Sequence, residues 1–397
     1  MPIAAHRAMR TTARGLIAAL FLLALGRAGQ SEAQALVKVN DDINFKVGIL
    51  MQPQADWQEV RNLTDDGSGG YQQNMFIRRL RFIIGGQVAK DVFFFAETEN
   101  GSLGKSTQAV GGAQVAKSLG TGFALIDAVG EWRIAKEFNI QFGEIRVPIS
   151  REALKGSTSE LMLDFSAYAF PTSTALQNQS ERDTGAMLRG YFNCDRLEYR
   201  AGVFSGFRAP GVKNEPRFTG RLQYNFFDTE VYSFVSLPGG YYGTKKILAI
   251  GGAYDTQNDY RYASADLYLD WPIPLGSFES TIQYQYINGG STFATALPQQ
   301  NTFQIEGGVF LKGLRIAPSA RYEQKTFTAP IVNNVTTKDE NRVAIGLNFY
   351  PYPKTPNAFN IKCWWQRVQL KPGAAPGQTT SGYATNQFTV QMQIYYF

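Results

Sequence analysis

Histidine and cysteine are nearly absent from this 397-residue sequence. His6 is the only histidine, and Cys194 and Cys363 are the only cysteines. His6 lies in a leader that we expect to be removed, and without imidazole a mature chain cannot form a Ser-His-Asp or Cys-His site or a histidine metal site. Two cysteines are too few for a cysteine-only zinc site or a disulfide framework. The sequence therefore predicts no catalytic residue, no metal site, no cofactor and two free thiols.

Long hydrophobic runs are also missing. A polytopic helical membrane protein needs runs of about 18 or more apolar residues, whereas the best candidate, residues 15–26, has twelve. This run follows three arginines and precedes Ala33 and Ala35, which is the pattern of a cleaved signal peptide. A membrane anchor is the alternative, but the run is too short to span a bilayer. We predict a signal peptide at 1–35 and a mature domain at 36–397.

Excess positive charge is smaller than the whole sequence suggests. Residues 1–35 contain four arginines and one glutamate, so their removal lowers the formal net charge from +6 to +3. The remaining 35 basic residues face 32 acidic ones. The isoelectric point of about 9.1 thus depends partly on the leader, and we predict no nucleic-acid partner.

From residue 36 to the end, apolar and polar residues alternate with a period of two. Near the C-terminus, for example, Phe388 and Val390 alternate with Thr389 and Gln391. Alternation of this kind places apolar side chains on one face of a strand and polar ones on the other. The sixteen predicted strands are 43–58, 75–88, 92–99, 121–134, 139–149, 184–192, 196–206, 217–227, 247–255, 261–271, 277–287, 302–311, 314–325, 340–350, 358–368 and 386–397.

Connections between these strands distinguish a membrane barrel from a soluble sandwich. Short connections such as 89–91 largely alternate with long polar ones such as 150–182, as expected for strands that run up and down a membrane. Two places break the rule: 231–236 could be a further strand, which we assign to a long turn through residue 246, and 256–259 is short where a long loop is expected. We predict an all-β fold, a transmembrane antiparallel up-and-down barrel of 16 strands.

Closure of the barrel has a physical cause. Hydrocarbon offers no partner to backbone N–H and C=O groups, so a sheet can span it only if it has no edge. Sixteen strands enclose a water-filled lumen, whereas about eight would be filled by side chains. At the C-terminus, Tyr395 and Phe397 have the parity of Gln391 and Gln393, which is the polar, lumen-facing one.

Three motifs resemble the phosphate-selective porin O and P family. They are the arginine-rich strand in 74–86, the segment Phe-Gly-Glu-Ile-Arg-Val-Pro-Ile-Ser at 142–150, and Glu-Arg-Asp-Thr-Gly at 181–185. The resemblance covers roughly 75–190. It implies a sixteen-stranded homotrimeric porin of the bacterial outer membrane, in contact with lipid and lipopolysaccharide, whose third external loop folds into the pore. Selectivity for phosphate does not follow, because the resemblance is broader than that activity.

Arginines with the polar parity are the candidate pore-lining and anion-binding residues. Guanidinium groups attract anions and offer forked donors to oxyanions. The predicted set is Arg79, Arg81, Arg133, Arg217, Arg221, Arg315 and Arg321. In the alternative, these arginines pair with neighbouring carboxylates and only brace the wall. Arg78 has the apolar parity, and we predict that it faces lipid or a subunit contact.

The loop 150–182 is the candidate constriction. Its predicted basic residues are Arg151, Lys155 and Arg182, and its acidic candidates are Glu152, Glu160 and Asp164. An exposed lid with solvated charges is the alternative. We predict passive diffusion of small hydrophilic solutes, with a preference for anions such as phosphate. A substrate-specific uptake barrel for carboxylates or oligosaccharides is the alternative, and its lumen would contain aromatic tracks. A surface lipase is disfavoured by the missing histidine.

Overall fold

The computed structural model describes residues 36–60, 70–106, 117–118, 120, 122–211, 213–231, 235–293, 297–328, 339–371 and 382–397. The predicted signal peptide at 1–35 lies outside this range, as do parts of several predicted long loops. Within the described ranges, no helix has the length and apolar character needed to cross a bilayer.

A closed antiparallel barrel of sixteen strands forms the whole described domain. The strands are β2 Asn44–Val60, β3 Gly70–Ala89, β4 Val92–Leu103, β5 Ala124–Ala135, β6 Phe138–Arg146, β7 Arg182–Phe192, β8 Leu197–Phe204, β9 Arg217–Asn225, β10 Ile247–Gln257, β11 Tyr260–Ile273, β12 Gly276–Asn288, β13 Gln300–Leu311, β14 Ile316–Phe327, β15 Asp339–Phe349, β16 Phe359–Lys371 and β17 Tyr383–Tyr396. A short strand, β1 Leu36–Lys38, pairs with the start of β2. All sixteen predicted strands are confirmed.

Each barrel strand pairs with its sequence neighbours, and β17 pairs with β2 to close the wall. At this seam, Val390 is opposite Ala55 and Ile394 is opposite Met51. The first and last strands of the barrel therefore leave no free edge, as a membrane-spanning sheet requires.

The burial pattern is the reverse of that in a soluble protein. Phe82 and Phe142 point outward and are half-exposed, whereas their neighbours Arg81 and Gln141 point inward and are buried. Apolar groups thus form the outer surface, and polar groups fill the interior. This distribution is stable only where lipid covers the outside.

The two irregular connections predicted from the sequence lie at the two ends of the same strand, β10. β9 and β10 are joined by the long segment 226–246 at the end of the barrel that otherwise has short turns, which is the periplasmic end in barrels of this class. β10 and β11 are joined at the opposite end by the short turn 258–259. The described residues of 231–236 form no strand in the wall, in agreement with the predicted long turn.

A β-bulge in the β2–β3 pair corrects the prediction for Arg78. Gln52 is opposite Arg79, but the next residue, Pro53, is opposite Ile77. Arg78 is therefore an extra residue, at the point where proline removes a ladder donor. Because a bulge changes the parity, the prediction that Arg78 faces lipid is wrong: its side chain contacts an aspartate inside the barrel, as described below.

Candidate functional site

The segment between β6 and β7 leaves the wall and enters the lumen. It begins with a single helical turn, Arg151–Leu154, whose four side chains are buried. The Ser150 hydroxyl accepts a hydrogen bond from the Ala153 backbone N–H at 3.1 Å and so caps the turn. We call residues 147–181 the inner loop.

Arg151 attaches the start of the inner loop to the segment 226–246. Its two terminal nitrogens each lie 2.8 Å from a carboxylate oxygen of Glu230, and its guanidinium carbon lies 3.5 Å from the centre of the Tyr268 ring. Neither charged side chain of this pair is exposed by more than 1%. A bidentate pair of this kind fixes orientation as well as charge.

Lys155 lies within a buried acidic group. Its Nζ is 2.8 Å from Glu152 and 2.9 Å from Glu306 of β13. Burial disfavours the charged amine, but the carboxylates of Glu152, Glu160 and Glu306 outweigh burial and raise the pKa of Lys155. Burial also raises the pKa of the Glu160 carboxyl, to about 7, although Lys155 opposes this shift. Within the part of the chain that the structure describes, neither Glu160 carboxylate oxygen has a hydrogen-bond partner.

Asp164 joins the inner loop to β3. Arg78 Nε lies 2.9 Å from one of its carboxylate oxygens, and Arg79 contacts the other. Burial would raise the pKa of Asp164, but the two guanidinium groups outweigh burial and hold it well below its usual range. Two of the three arginines in the arginine-rich strand thus hold the loop in place.

The inner loop also contacts the far wall and the seam. Lys362 of β16 donates to the carbonyl oxygens of Glu160 and Met162 at 2.8 and 2.6 Å. At the seam, Gln52 of β2 donates to Gln393 of β17 at 2.9 Å. Gln393 in turn donates to the carbonyl oxygen of Thr158 in the loop at 2.8 Å. The loop therefore crosses the lumen from one wall to the other.

The segment 226–246 meets the inner loop from the opposite end of the barrel. The Gly156 N–H donates to the Leu237 carbonyl at 2.8 Å, and the Leu237 N–H donates to the Leu154 carbonyl at 2.8 Å. The Gly239 N–H donates to the Ser159 hydroxyl at 2.7 Å. Two connections that enter from opposite ends thus form one hydrogen-bonded partition in the lumen.

Six of the seven predicted wall arginines lie on the inner face, and each of the six is paired with a carboxylate. This is the bracing arrangement that the sequence left open as an alternative. The pairs are Arg79 with Asp164, Arg81 with Glu97 and Glu99, Arg133 with Glu131, Arg217 with Asp255, Arg221 with Asp266, and Arg321 with Glu306.

Two predicted residues occupy other positions. Arg315 is an exposed residue of the turn between β13 and β14, with a positive φ of 59°, so it is not on the wall and its predicted inward orientation is wrong. Arg182 is the first residue of β7, not part of the loop, and it binds Asp127 through two nitrogens at 2.9 and 2.8 Å.

Two adjoining cavities lie beneath the inner loop, toward the short-turn end. Their volumes are about 350 and 580 Å³, and both are lined by Gly156, Thr158, Ser236 and Tyr395. The smaller cavity, which we call the inner cavity, is also lined by four cationic side chains and one carboxylate, namely Lys46, Arg81, Arg133, Arg146 and Glu97.

Sequence reasoning missed Arg146 and the aromatic wall of the inner cavity. Phe93, Phe95 and Phe397 line it. Phe93 and Phe95 share the parity of Glu97, which could have indicated that they face the lumen. Phe397 faces the lumen, as its parity predicted, and the centre of its ring lies 5.8 Å from that of Phe95 in an edge-on contact.

Acidic side chains outnumber basic ones in the buried interior. Among the described residues, seventeen Asp and Glu and twelve Lys and Arg are buried. The interior as a whole therefore carries no excess of positive charge. A net positive lining is a property of the inner cavity.

Comparison with known proteins agrees with the motifs and the fold. The family model described as phosphate-selective porin O and P matches residues 47–239. Salmonella typhi OmpF in complex with daunomycin is 11% identical with a TM-score of 0.57, over 91% of this chain and 100% of that chain. The outer membrane channel DcaP of Acinetobacter baumannii is 10% identical with a TM-score of 0.53, over 89% and 97%. At these identities the likeness shows the fold alone. No curated protein matches the sequence.

Proposed function

Because residues 47–239 belong to the phosphate-selective porin O and P family and the chain forms an outer-membrane barrel, we propose that this channel of the bacterial outer membrane passes small hydrophilic solutes by diffusion. The single observation that carries the proposal is the polar interior, in which two adjoining cavities lie beneath the inner loop. A polar lumen narrowed by a loop admits solutes by size and charge.

The proposal includes a preference for anions, set in the inner cavity. Its lining has four cationic side chains against one carboxylate, whereas acidic groups outnumber basic ones elsewhere in the interior. Selectivity depends most strongly on the narrowest, least hydrated part of a path, where charges are least screened. The inner loop, including Arg151 and Lys155, is proposed as the constriction that directs solutes toward this cavity.

Planar-bilayer recording in a potassium chloride gradient tests the preference. We expect the reversal potential to show chloride permeating more than potassium, and the double variant Arg79→Ala with Arg81→Ala to lower that ratio. Arg367→Ala is the matched control, because Arg367 lies outside the lumen on the lipid-facing parity of β16. Potassium selectivity in the unmodified channel would contradict the anion preference, and the absence of any conductance would contradict diffusion.

We also propose a homotrimer embedded in lipid and lipopolysaccharide. The family resemblance implies this assembly, and the half-exposed apolar outer surface supplies the contact area. Light scattering in detergent is expected to give three times the mass of one chain, and a monomer would contradict the proposal.

The alternative of a substrate-specific uptake barrel for carboxylates has one observation in its favour. The lumen contains aromatic rings beside guanidinium groups in the inner cavity.

A further inference from the structure

One side of the inner cavity is aromatic. Phe95 of β4 and the C-terminal Phe397 contact edge-on at 5.8 Å, and Phe93 stacks beneath the Arg133 guanidinium at 3.8 Å. Gly85 leaves room for the two contacting rings, because a Cβ there would lie 3.0 Å from Phe95 and 3.2 Å from Phe397. Aromatic side chains in a water-filled passage expose apolar surface, which is stabilised when a second apolar ring covers it.

Another part of the lining is cationic. Arg146 is 5% exposed. Its Nη1 donates to the Lys155 carbonyl at 2.8 Å and its Nη2 lies 3.9 Å from Asp127, but among the described residues its Nε has no hydrogen-bond partner. Buried guanidinium donors are normally satisfied, so an unsatisfied donor on a lining residue makes Arg146 the candidate partner for an anion in the cavity. The Ser157 hydroxyl, 3.3 Å from Arg81 Nη1, adds a second polar group to this side.

We propose that the inner cavity binds a monocyclic aromatic carboxylate, with its ring against Phe95 and Phe397 and its carboxylate toward Arg146. The inference rests on the proposed channel function and names its substrate class. Chloride or phosphate would use the cationic side but would gain nothing from the rings. An oligosaccharide would need more room than about 350 Å³, which is near the lower limit for small-molecule sites.

Isothermal titration calorimetry on detergent-refolded protein compares benzoate, cyclohexanecarboxylate, acetate and phosphate without any variant. Benzoate is expected to bind about tenfold or more tightly than acetate, because a buried ring contributes both apolar area and aromatic contact. Equal affinities for benzoate and acetate would overturn the proposal. Phosphate binding more tightly than benzoate would instead assign the cavity to inorganic anions.

Two variants test the aromatic and the cationic parts of the cavity separately. Phe95→Leu should weaken benzoate binding about three- to tenfold and leave acetate unchanged, whereas Phe207→Leu, in an aromatic contact outside the cavity, should change neither. Arg146→Gln should weaken both carboxylates about tenfold, whereas Arg200→Gln removes another lumen guanidinium, one paired with Glu198, and should not. Equal effects of a variant and its control would show that only the general charge or folding has changed.

Current through a bilayer distinguishes a failure of this inference from a failure of the proposed function. Benzoate should reduce chloride current at lower concentration than acetate, and Phe95→Leu should reduce this difference about three- to tenfold. A conducting channel that treats the two anions alike would overturn the inference and leave diffusion intact. A protein that binds benzoate by calorimetry but does not conduct would support the cavity and contradict diffusion.

Discussion

The buried pair of Arg151 and Glu230 gives the sharpest test of how the inner loop is held. Replacing Arg151 with methionine keeps much of the side-chain volume but leaves the Glu230 carboxylate buried. Of the described residues, only neutral donors then remain on that carboxylate, the Gln223 amide at 2.8 Å and the Tyr241 hydroxyl at 2.9 Å. Removing one partner of a buried ion pair costs about 3–5 kcal/mol. The barrel wall has its own hydrogen bonds, so we expect this cost to appear as undocking of the loop.

Trypsin cleavage after Lys155 measures that undocking. Lys155 is 1% exposed, so cleavage requires the loop to open, and its rate follows the population of the open form. A cost of about 3–5 kcal/mol raises that population by about two to four powers of ten. Arg151→Met should therefore be cleaved far faster than the unmodified protein. Its barrel should remain folded, which is checked by comparing the migration of heated and unheated samples in gel electrophoresis.

The double variant Arg151→Met with Glu230→Gln isolates the cause. It removes both charges, so most of the protection should return, because the main cost is the unpaired carboxylate. If the single variant is cleaved at the unmodified rate, the pair does not hold the loop. If the double variant is cleaved as fast as the single one, lost packing on Tyr268 explains the effect.

Four further outcomes are expected. Glu160 is neutral below and charged above its pKa of about 7, so the preference for chloride should be greater at pH 6 than at pH 8. Glu160→Gln should abolish this pH dependence. If the variant keeps it, another group is responsible. Because this folded pKa lies above the ordinary value of 4.5, the group's contribution to stability should fall as pH rises from about 4.5 to 7. Gly48→Ala would bring a Cβ within 2.3 Å of the Tyr396 carbonyl oxygen and 2.7 Å of Phe397. The unfolding temperature in detergent should therefore fall by an amount equivalent to about 1–3 kcal/mol. An unchanged unfolding temperature would show that the C-terminus shifts freely. Cys194 and Cys363 are free and exposed, so in liposomes an impermeant maleimide should label Cys194 and not the lipid-facing Cys363, and equal labelling would place both in water.

The sixteen strands could be predicted because their signal is local. A period of two in side-chain polarity reports directly which face meets lipid, as Phe388 and Val390 in β17 show. The bulge at Pro53 could not be predicted for Arg78, because the proline that causes it lies on a different strand. A local pattern therefore locates a strand but cannot detect an extra residue that its partner imposes.

The partners of the candidate site depend on contacts between distant parts of the chain. Arg151 and Glu230 are 79 residues apart, and neither the helical turn nor the segment 226–246 indicates the other. The inner cavity was missed for a related reason: Phe93, Phe94 and Phe95 make both faces of β4 apolar. Alternation gives no contrast among these three residues, and the sequence indicates which rings face the lumen only through the parity of Glu97 farther along the strand.

Gln393 and Gln52 lie on the last and first strands of the barrel, which pair at the seam, and both donate to the same stretch of the inner loop, Ser157 and Thr158. The inner loop thus supports, from inside the lumen, the seam between the first and last strands of the barrel. A shorter stretch would widen the passage but would also remove hydrogen bonds that support the pairing of β2 with β17. The width of the pore and the stability of the closed wall are therefore linked.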